Sequence, residues 1–304
     1  MLKPLALRPP SLVGIVAPAS PIRREFLDRG VAELERLGFR IRTGRAVHER
    51  SRYTAGDPEA RAADLLELWE DPEVAALFCA RGGFGSVQLL ERIDAGRFHA
   101  RPKILVGSSD VTALLLFLLS RVGVVAFHGP MVAQQIARGP EAYDVSSLLE
   151  ILSANQARSP LLGPRLRMLH RGKAEGVLWG GCLSLVTALV GTPYLPSFDD
   201  AILFLEDANV KPYQIDRMLT QLRMSGRLEG VRGLVFGEMP GCVQHPEQGY
   251  GLDELLTDLT AGLGVPVLLG LPSGHTLSPG ITIPLGVRAR IDSSGLRLLE
   301  GAVR

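Results

Sequence analysis

Short apolar runs recur along this chain, each followed by a small-residue turn and then by a stretch with helical spacing. Ser11–Ala17 reads as a first buried strand, and Ile22–Leu37 as a helix with Phe26, Leu27, Val31, Leu34 and Leu37 on one face. Gly38 stops that helix, and Phe39–Thr43 forms a second strand. A further helix starts at Asp57-Pro58 and runs to Trp69, with Pro58 at the first helical position. Val74–Cys79 is a third strand that feeds straight into the glycine loop Arg81-Gly-Gly-Phe-Gly-Ser86. Ile104–Val106 is a fourth, followed by the turn Gly107-Ser-Ser-Asp110 and a helical run from Val111 to Leu119. Val124–Pro130 adds a short strand with His128 at its end. Strands alternating with helices at this spacing predict a parallel sheet with crossover helices.

Past this point the pattern blurs. Residues 137–167 are mixed, and Arg158-Ser-Pro-Leu-Leu-Gly-Pro164 reads as a linker, which puts a domain boundary near 155–170. The expected division is an N-terminal α/β domain, 1–160, and a smaller C-terminal α+β domain, 161–304. In the second, Gly172–Gly181 precedes a helix at Leu183–Val190, and Ala201–Asp207 is an apolar strand ending on two acids. Pro212 opens a helix, Val231–Gly237 is a strand, and Leu252–Leu263 a helix. Val265–Gly270, Ile281–Pro284 and Val287–Leu299 read as closing strands.

Composition narrows the class. At 304 residues with 46% hydrophobic content the chain can bury a substantial core. Its 33 basic and 32 acidic side chains give a net charge of +1, which argues against nucleic acid or an anionic membrane as partner. Three dispersed cysteines, Cys79, Cys182 and Cys242, fit a reduced compartment and neither a disulfide frame nor a zinc site. Residues 1–10 show no secretory signal pattern, and no apolar run is long enough to span a membrane, so a cytoplasmic location is expected. No ligand cluster has metal spacing, and no cofactor fingerprint is present: the glycine loop matches neither GxGxxG nor a P-loop.

Three stretches carry candidate chemistry. A strand, a sharp turn and a helix are the context in which an α/β enzyme presents a nucleophilic serine, here Ser109, although Ser108, Ser109 and Asp110 equally suit a helix cap. Glu206 and Asp207 at a strand end could be an acid/base pair, a metal site or cap residues. His275 lies between a glycine and a threonine in a loop, and its partners decide its role. His128 could face a pocket, but a hydrogen-bonded structural role is the default for such a residue.

Arg81-Gly-Gly-Phe-Gly, Gly107-Ser-Ser-Asp, Leu205-Glu-Asp with Pro212-Tyr-Gln-Ile-Asp-Arg, and Gly274-His275 together resemble the LD-carboxypeptidases, a family of serine peptidases that includes the microcin C self-immunity proteins. The order matches along nearly the whole chain, from Gly14-Ile-Val-Ala-Pro-Ala-Ser20 to Leu285-Gly286. The resemblance implies Ser109 as nucleophile, His275 as general base and then acid, and Glu206 as the carboxylate that orients it. It implies oxyanion donors at Gly83 and Asp110, a site between two domains, and a homodimer. The implied activity is release of terminal D-alanine from a murein tetrapeptide during cell-wall recycling. Hydrolysis of an aminoacyl-nucleotide antibiotic is the alternative within the family, and a non-catalytic ligand-binding α/β protein the alternative outside it. Two positions depart from the family pattern: Cys182 stands where an asparagine is usual, and the loop after His275 lacks its asparagine. Both bear on the substrate more than on the triad.

Overall fold

The computed structural model describes residues 1–157 and 160–304. Arg158 and Ser159, at the start of the expected linker, lie outside the described residues. The first half runs β1 (Leu12–Val16), α1 (Arg24–Arg36), β2 (Arg40–Thr43), α2 (Pro58–Glu70), β3 (Val74–Cys79), α3 (Ala95–His99), β4 (Ile104–Gly107), α4 (Thr112–Phe117), β5 (Ala126–His128) and α5 (Val145–Ser153). The second runs β6 (Arg167–His170), β7 (Ala174–Cys182), α6 (Leu183–Ala188), β8 (Ala201–Glu206), α7 (Pro212–Met224), β9 (Gly233–Gly237), α8 (Leu252–Thr260), β10 (Val267–Leu271), β11 (Ile283–Leu285), β12 (Arg288–Asp292) and β13 (Gly295–Leu298).

Two domains follow, each built on one sheet. The first sheet has the order β11-β5-β4-β3-β1-β2, parallel except for β11, which the chain sends back from the second half to pair antiparallel with β5. Strands β1 and β4 are buried from end to end, as expected for strands with helices on both faces. The second sheet is mixed, β13-β12-β7-β8-β9-β10-β6, with parallel β7 to β10 in the middle and antiparallel strands at either end.

The halves are stitched together at the strand ends that matter for chemistry. The Cys182 amide, at the end of β7, donates to Thr112 Oγ1 at the start of α4 (3.0 Å). Gly181 packs against the same threonine so closely that a Cβ there would lie 2.6 Å from its side chain. Further out, the Ser147 hydroxyl of α5 accepts from the Thr282 amide just before β11 (3.0 Å).

Two expected elements take other forms. The helical run after Ser109 is irregular: residues 109–111 form a 3-10 turn, α4 is short, and residues 118–122 widen into a π-turn that ends on left-handed Gly123. The mixed region before the linker contains α5, capped by the Asp144 carboxylate, which accepts from the Ser147 amide (2.8 Å).

Helix α1 carries a testable exception to helix propensity. Glycine inside a helix normally costs about 1 kcal/mol relative to alanine. At Gly30, however, a Cβ would sit 2.1 Å from the Val132 carbonyl oxygen, a backbone atom that cannot yield cheaply. Gly30→Ala should therefore lower stability by about 1–3 kcal/mol, the cost typical of overpacking. Gly262→Ala, with nothing within 4 Å and no left-handed backbone, should raise it by about 0.4–1 kcal/mol. Denaturant titration of the two variants should give opposite signs.

Candidate active site

The site is assembled from strand ends. At the end of β4 the chain turns through Ser108, which is extended, into Ser109, which is half-buried and held at φ +56°. A left-handed serine is strained, and such strain persists only where the surroundings enforce it. Here they do. Gly107 lies so close to Val111 that a Cβ would meet its side chain at 2.7 Å, which lets the turn close tightly. The buried Asp110 carboxylate accepts from the Ser86 amide (2.8 Å) and the Ser86 hydroxyl (2.5 Å), tying the Ser109 turn to the far end of the glycine loop.

The glycine loop presses on Ser109 from the other side. A Cβ on Gly82 would lie 2.9 Å from Ser109 Cβ, 3.0 Å from its Oγ and 3.3 Å from the Asp110 amide nitrogen. Gly83 follows at φ +113°, its α-carbon against Ser20, whose hydroxyl accepts from the Phe84 amide (3.1 Å). Buried Arg61 fixes the base of this loop through the carbonyls of Pro18 and Gly85 and the Gln88 side chain.

Across the domain junction, Glu206 ends β8 with its side chain fully buried. One carboxylate oxygen, Oε2, accepts from the His275 amide (2.9 Å) and from His275 Nδ1 (2.8 Å). An ionised carboxylate only accepts, so Nδ1 carries the proton and Nε2 is left as a base. The other oxygen, Oε1, lies 3.6 Å from Nε2 of His128, and neither of these two atoms has a hydrogen-bond partner. His128 itself is fully buried, with Nδ1 3.1 Å from the Ser273 hydroxyl. Burial alone would raise the Glu206 pKa, but the His275 and His128 imidazoles that face its two oxygens outweigh it and bring it down to about 2. His275 is pulled down by burial, but the bond to Glu206 and the charges of Glu206 and Asp207 leave its pKa above the usual 6.5.

Glycine makes this packing possible at two points. A Cβ on Gly274 would lie 2.5 Å from the Glu206 carboxyl carbon and 2.7 Å from His128, and one on Gly237 would lie 2.6 Å from Glu206 Cβ. The loop beyond His275 is pinned by Glu238, whose buried side chain accepts from the amides of Leu277 (2.6 Å) and Ser278 (3.0 Å) and from the Ser278 hydroxyl (2.6 Å).

The two clusters meet through β5. His128 pairs in register with Gly107, two residues before Ser109, and the Gly129 amide donates to the Gly107 carbonyl (3.1 Å). Glu206 and His275 are thus in direct contact, Ser109 stands with Gly82 and the Asp110 amide, and His128 bridges them. No hydrogen bond joins Ser109 to His275 among the described residues. Asp207 is a capping residue: it accepts from the Ser184 amide (2.9 Å) and hydroxyl (2.6 Å) in the first turn of α6. Helix α7 is capped instead by Lys211 and Gln214. The thiol of Cys182 is buried, and burial followed by the Glu206 and Asp207 charges raises its pKa well above normal, so it stays neutral. Among the described residues no cluster of His, Cys, Asp and Glu could hold a metal ion, and no helix is long and apolar enough to cross a membrane.

Sequence patterns of two known domains match this chain over most of its length. The LD-carboxypeptidase N-terminal domain covers residues 13–129 and the LD-carboxypeptidase C-terminal domain residues 175–291. The chain belongs to the LD-carboxypeptidase family. Among its relatives is a probable murein peptide carboxypeptidase of Bacillus subtilis (strain 168), 38% identical over 295 residues that cover 96% of this chain and 92% of the relative. A crystal structure of muramoyltetrapeptide carboxypeptidase from Oxalobacter formigenes superposes with a TM-score of 0.84 at 30% identity, covering 96% of this chain and 99% of that one. The microcin self-immunity protein MccF in complex with glutamyl sulfamoyl guanosine superposes with a TM-score of 0.92 at 25% identity, over 100% of both chains. This member is accordingly an enzyme of the LD-carboxypeptidase class.

The sequence pattern missed the role of His128. Its position before Gly129-Pro130 gave a buried, hydrogen-bonded histidine, which it is, but nothing local signals that it reaches a carboxylate on another sheet. Glu238 was missed for the same reason, since its partners lie about forty residues away in sequence.

The Glu206–His275 pair fixes the sign of one titration. His275, raised above its unfolded value, contributes stability below pH 6.5 that is lost as pH rises through its folded pKa. Observed by NMR, the imidazole should titrate above 6.5 in the wild type. In Glu206→Gln the burial stays and the charge is gone, so the midpoint should drop below 6.5. An unchanged midpoint would show that the carboxylate does not govern the ring.

Proposed function

We propose that this enzyme is a serine carboxypeptidase that releases terminal D-alanine from murein tetrapeptide in the cytoplasm, with Ser109 as nucleophile, His275 as base and then acid, and Glu206 as orienting carboxylate. The observation that carries the reading is the buried Glu206 locking His275 by ring and amide at once, on the strand-end side that also holds strained Ser109. A free serine is a poor nucleophile, and an imidazole whose Nδ1–H is committed to a carboxylate has only Nε2 with which to take its proton. Related proteins named as murein peptide and muramoyltetrapeptide carboxypeptidases support the substrate class.

In this mechanism Ser109 Oγ attacks the carbonyl of the L-configured centre of the third residue, and its proton passes to His275 Nε2. The oxyanion is received by the Asp110 amide and the Gly83 amide. Closeness of Gly82 to Ser109 and to the Asp110 nitrogen supports this pair, because the next amide along the loop is that of Gly83. His275 then gives its proton to the departing amine of D-alanine. Water, deprotonated by the same ring, hydrolyses the acyl-enzyme and restores Ser109.

The same reading makes His128 a positioning residue, acting on Glu206 and never on the substrate. With Oε2 occupied by His275, Oε1 needs its own donor, and His128 Nε2 is the group in place to supply it. The chain's two tryptophans do not suit the stacking of a nucleobase: Trp69 is fully buried and bonded to the Phe98 carbonyl, and Trp179 packs on Phe198.

Three measurements test the proposal. Mass spectrometry of incubated murein tetrapeptide should show tripeptide plus D-alanine, with an all-L analogue at least about a hundredfold slower. Equal rates on both would sink the LD assignment, and faster hydrolysis of an aminoacyl sulfamoyl adenosine would move the enzyme to the immunity-type reading. Ser109→Ala and His275→Ala should each abolish most turnover, and the double variant should be no worse than either, because the residues act as a unit. His128→Ala should lower kcat about tenfold at unchanged KM, and His128→Gln, which can donate to the same oxygen, should recover part of it. A loss seen only in thermal stability would reduce His128 to a packing residue.

A further inference from the structure

The first sheet contains a cavity that the mechanism above does not use. Its strand order β2-β1-β3-β4-β5 reverses direction between β1 and β3, and such switch points open a crevice at the carboxyl ends of the strands where α/β proteins receive ligands. The crevice here holds a cavity of about 180 Å³. Arg23 and Phe26 line it from the segment after β1, Arg81 from the glycine loop after β3, and Ala133, Gln134 and Arg138 from the segment after β5. That last segment is fastened over the end of β3 by the Val132 and Ala133 amides, which donate to the carbonyls of Cys79 (3.1 Å) and Ala80 (2.8 Å).

Three arginines line this one small cavity, Arg81 half-buried and Arg23 and Arg138 exposed, so an anion entering from solvent meets a positively charged mouth. No acidic residue lines it. Arg81 spends two donors on backbone, Nε on the Gly82 carbonyl and Nη1 on that of Pro21 (3.2 Å each), and neither Arg81 nor Arg138 has an ion-pair partner among the described residues. Arg23 has only Glu25, 3.7 Å away on the exposed surface. Arg81 is joined directly to Gly82, which packs against Ser109, so one lining residue of the cavity is the chain neighbour of a residue in contact with Ser109.

We propose that this cavity is an anion subsite in which Arg23, Arg81 and Arg138 hold a carboxylate of the peptide substrate. Guanidinium groups suit a planar carboxylate, and a cavity of about 180 Å³ has room for one. The identity of the ligand as a stem peptide rests on the function proposed above. Stem peptide offers three carboxylates: on D-glutamate, on the diamino acid and on terminal D-alanine.

The test is calorimetric titration of tetrapeptide into Ser109→Ala protein, with and without the added pair Arg23→Gln and Arg138→Gln. Loss of two charge-assisted contacts should weaken binding at least about tenfold. Three analogues then locate the contact: D-glutamate amidated, lysine in place of diaminopimelate, and D-alaninamide at the terminus. The analogue that lacks the bound carboxylate should bind weakly to both proteins, with no further loss from the arginine changes. A penalty that persists in full on all three analogues, equal affinity of the two proteins for the parent peptide, or no binding of tetrapeptide at all would each overturn the subsite. Turnover of tetrapeptide by the wild-type enzyme is assayed separately. Binding that depends on the arginines without any turnover would refute the peptidase reading while leaving the subsite standing.

Discussion

A fully buried carboxylate is the constraint on which this site depends. Placing a charge in the protein interior costs several kcal/mol after relaxation, and the carboxylate stays ionised only if its lone pairs are matched by well-placed donors. Glu206 meets that condition at one oxygen, which accepts from the amide and ring of His275, while the other faces its nearest donor, the His128 ring, at 3.6 Å without a hydrogen bond. These donors come from the loop after β10 and the end of β5, so folding both halves is a precondition for holding one charge. The requirement runs the other way as well. Gly274 and Gly237 pack so tightly on Glu206 that side chains there would collide with it, and the carboxylate in turn dictates where the His275 loop can run.

That dependence explains why the site lies where the two sheets meet. Glu206 belongs to the second sheet, while His128 and Ser109 belong to the carboxyl edge of the first. The bond from the Cys182 amide to Thr112 ties the strand beside Glu206 to the helix that follows Ser109. Even β11, sent back to pair with β5, closes the loop carrying His275 onto the edge that carries His128. A small shift of one sheet against the other would move Glu206 and His275 relative to Ser109, so these cross-links set the precision of the geometry as much as the stability of the fold.

Much of the architecture was legible because local physics agreed with tertiary structure. The strand at Val74–Cys79 and the start of α2 at Pro58 stand where the pattern puts them, since an apolar run between breakers and a proline at the first helical turn have few other uses. The turn at Gly107–Asp110 was equally readable, although Asp110 does more than offer an amide: its carboxylate anchors Ser86. What escaped was whatever depends on partners distant in sequence. Strand β11 joins the first sheet although it lies far down the second half, and β6 pairs with β10 across about a hundred residues. Period and propensity carry no information about such pairings. The ambiguity of Glu206 and Asp207, adjacent acids at one strand end, was of the same kind, and only their partners separate a histidine-bound carboxylate from the cap of α6.

Strain and satisfaction are divided between the two sides of this junction. On the Glu206 side, one carboxylate oxygen is satisfied twice over, by the amide and the ring of His275, which holds that residue in place. On the Ser109 side, a residue with a Cβ occupies a left-handed conformation, pressed by Gly82 and held by the Asp110–Ser86 bond. A serine that relaxed to ordinary backbone angles would turn its hydroxyl away from its present place beside Gly82. The energy that keeps it in position therefore comes from the buried polar contacts around it, and those contacts involve residues, such as Ser86 and Arg61, that need never touch a substrate. Rigidity on one side and enforced strain on the other serve a single end: the His275 ring and the Ser109 hydroxyl, the proposed base and nucleophile, each have one orientation, fixed before any ligand arrives.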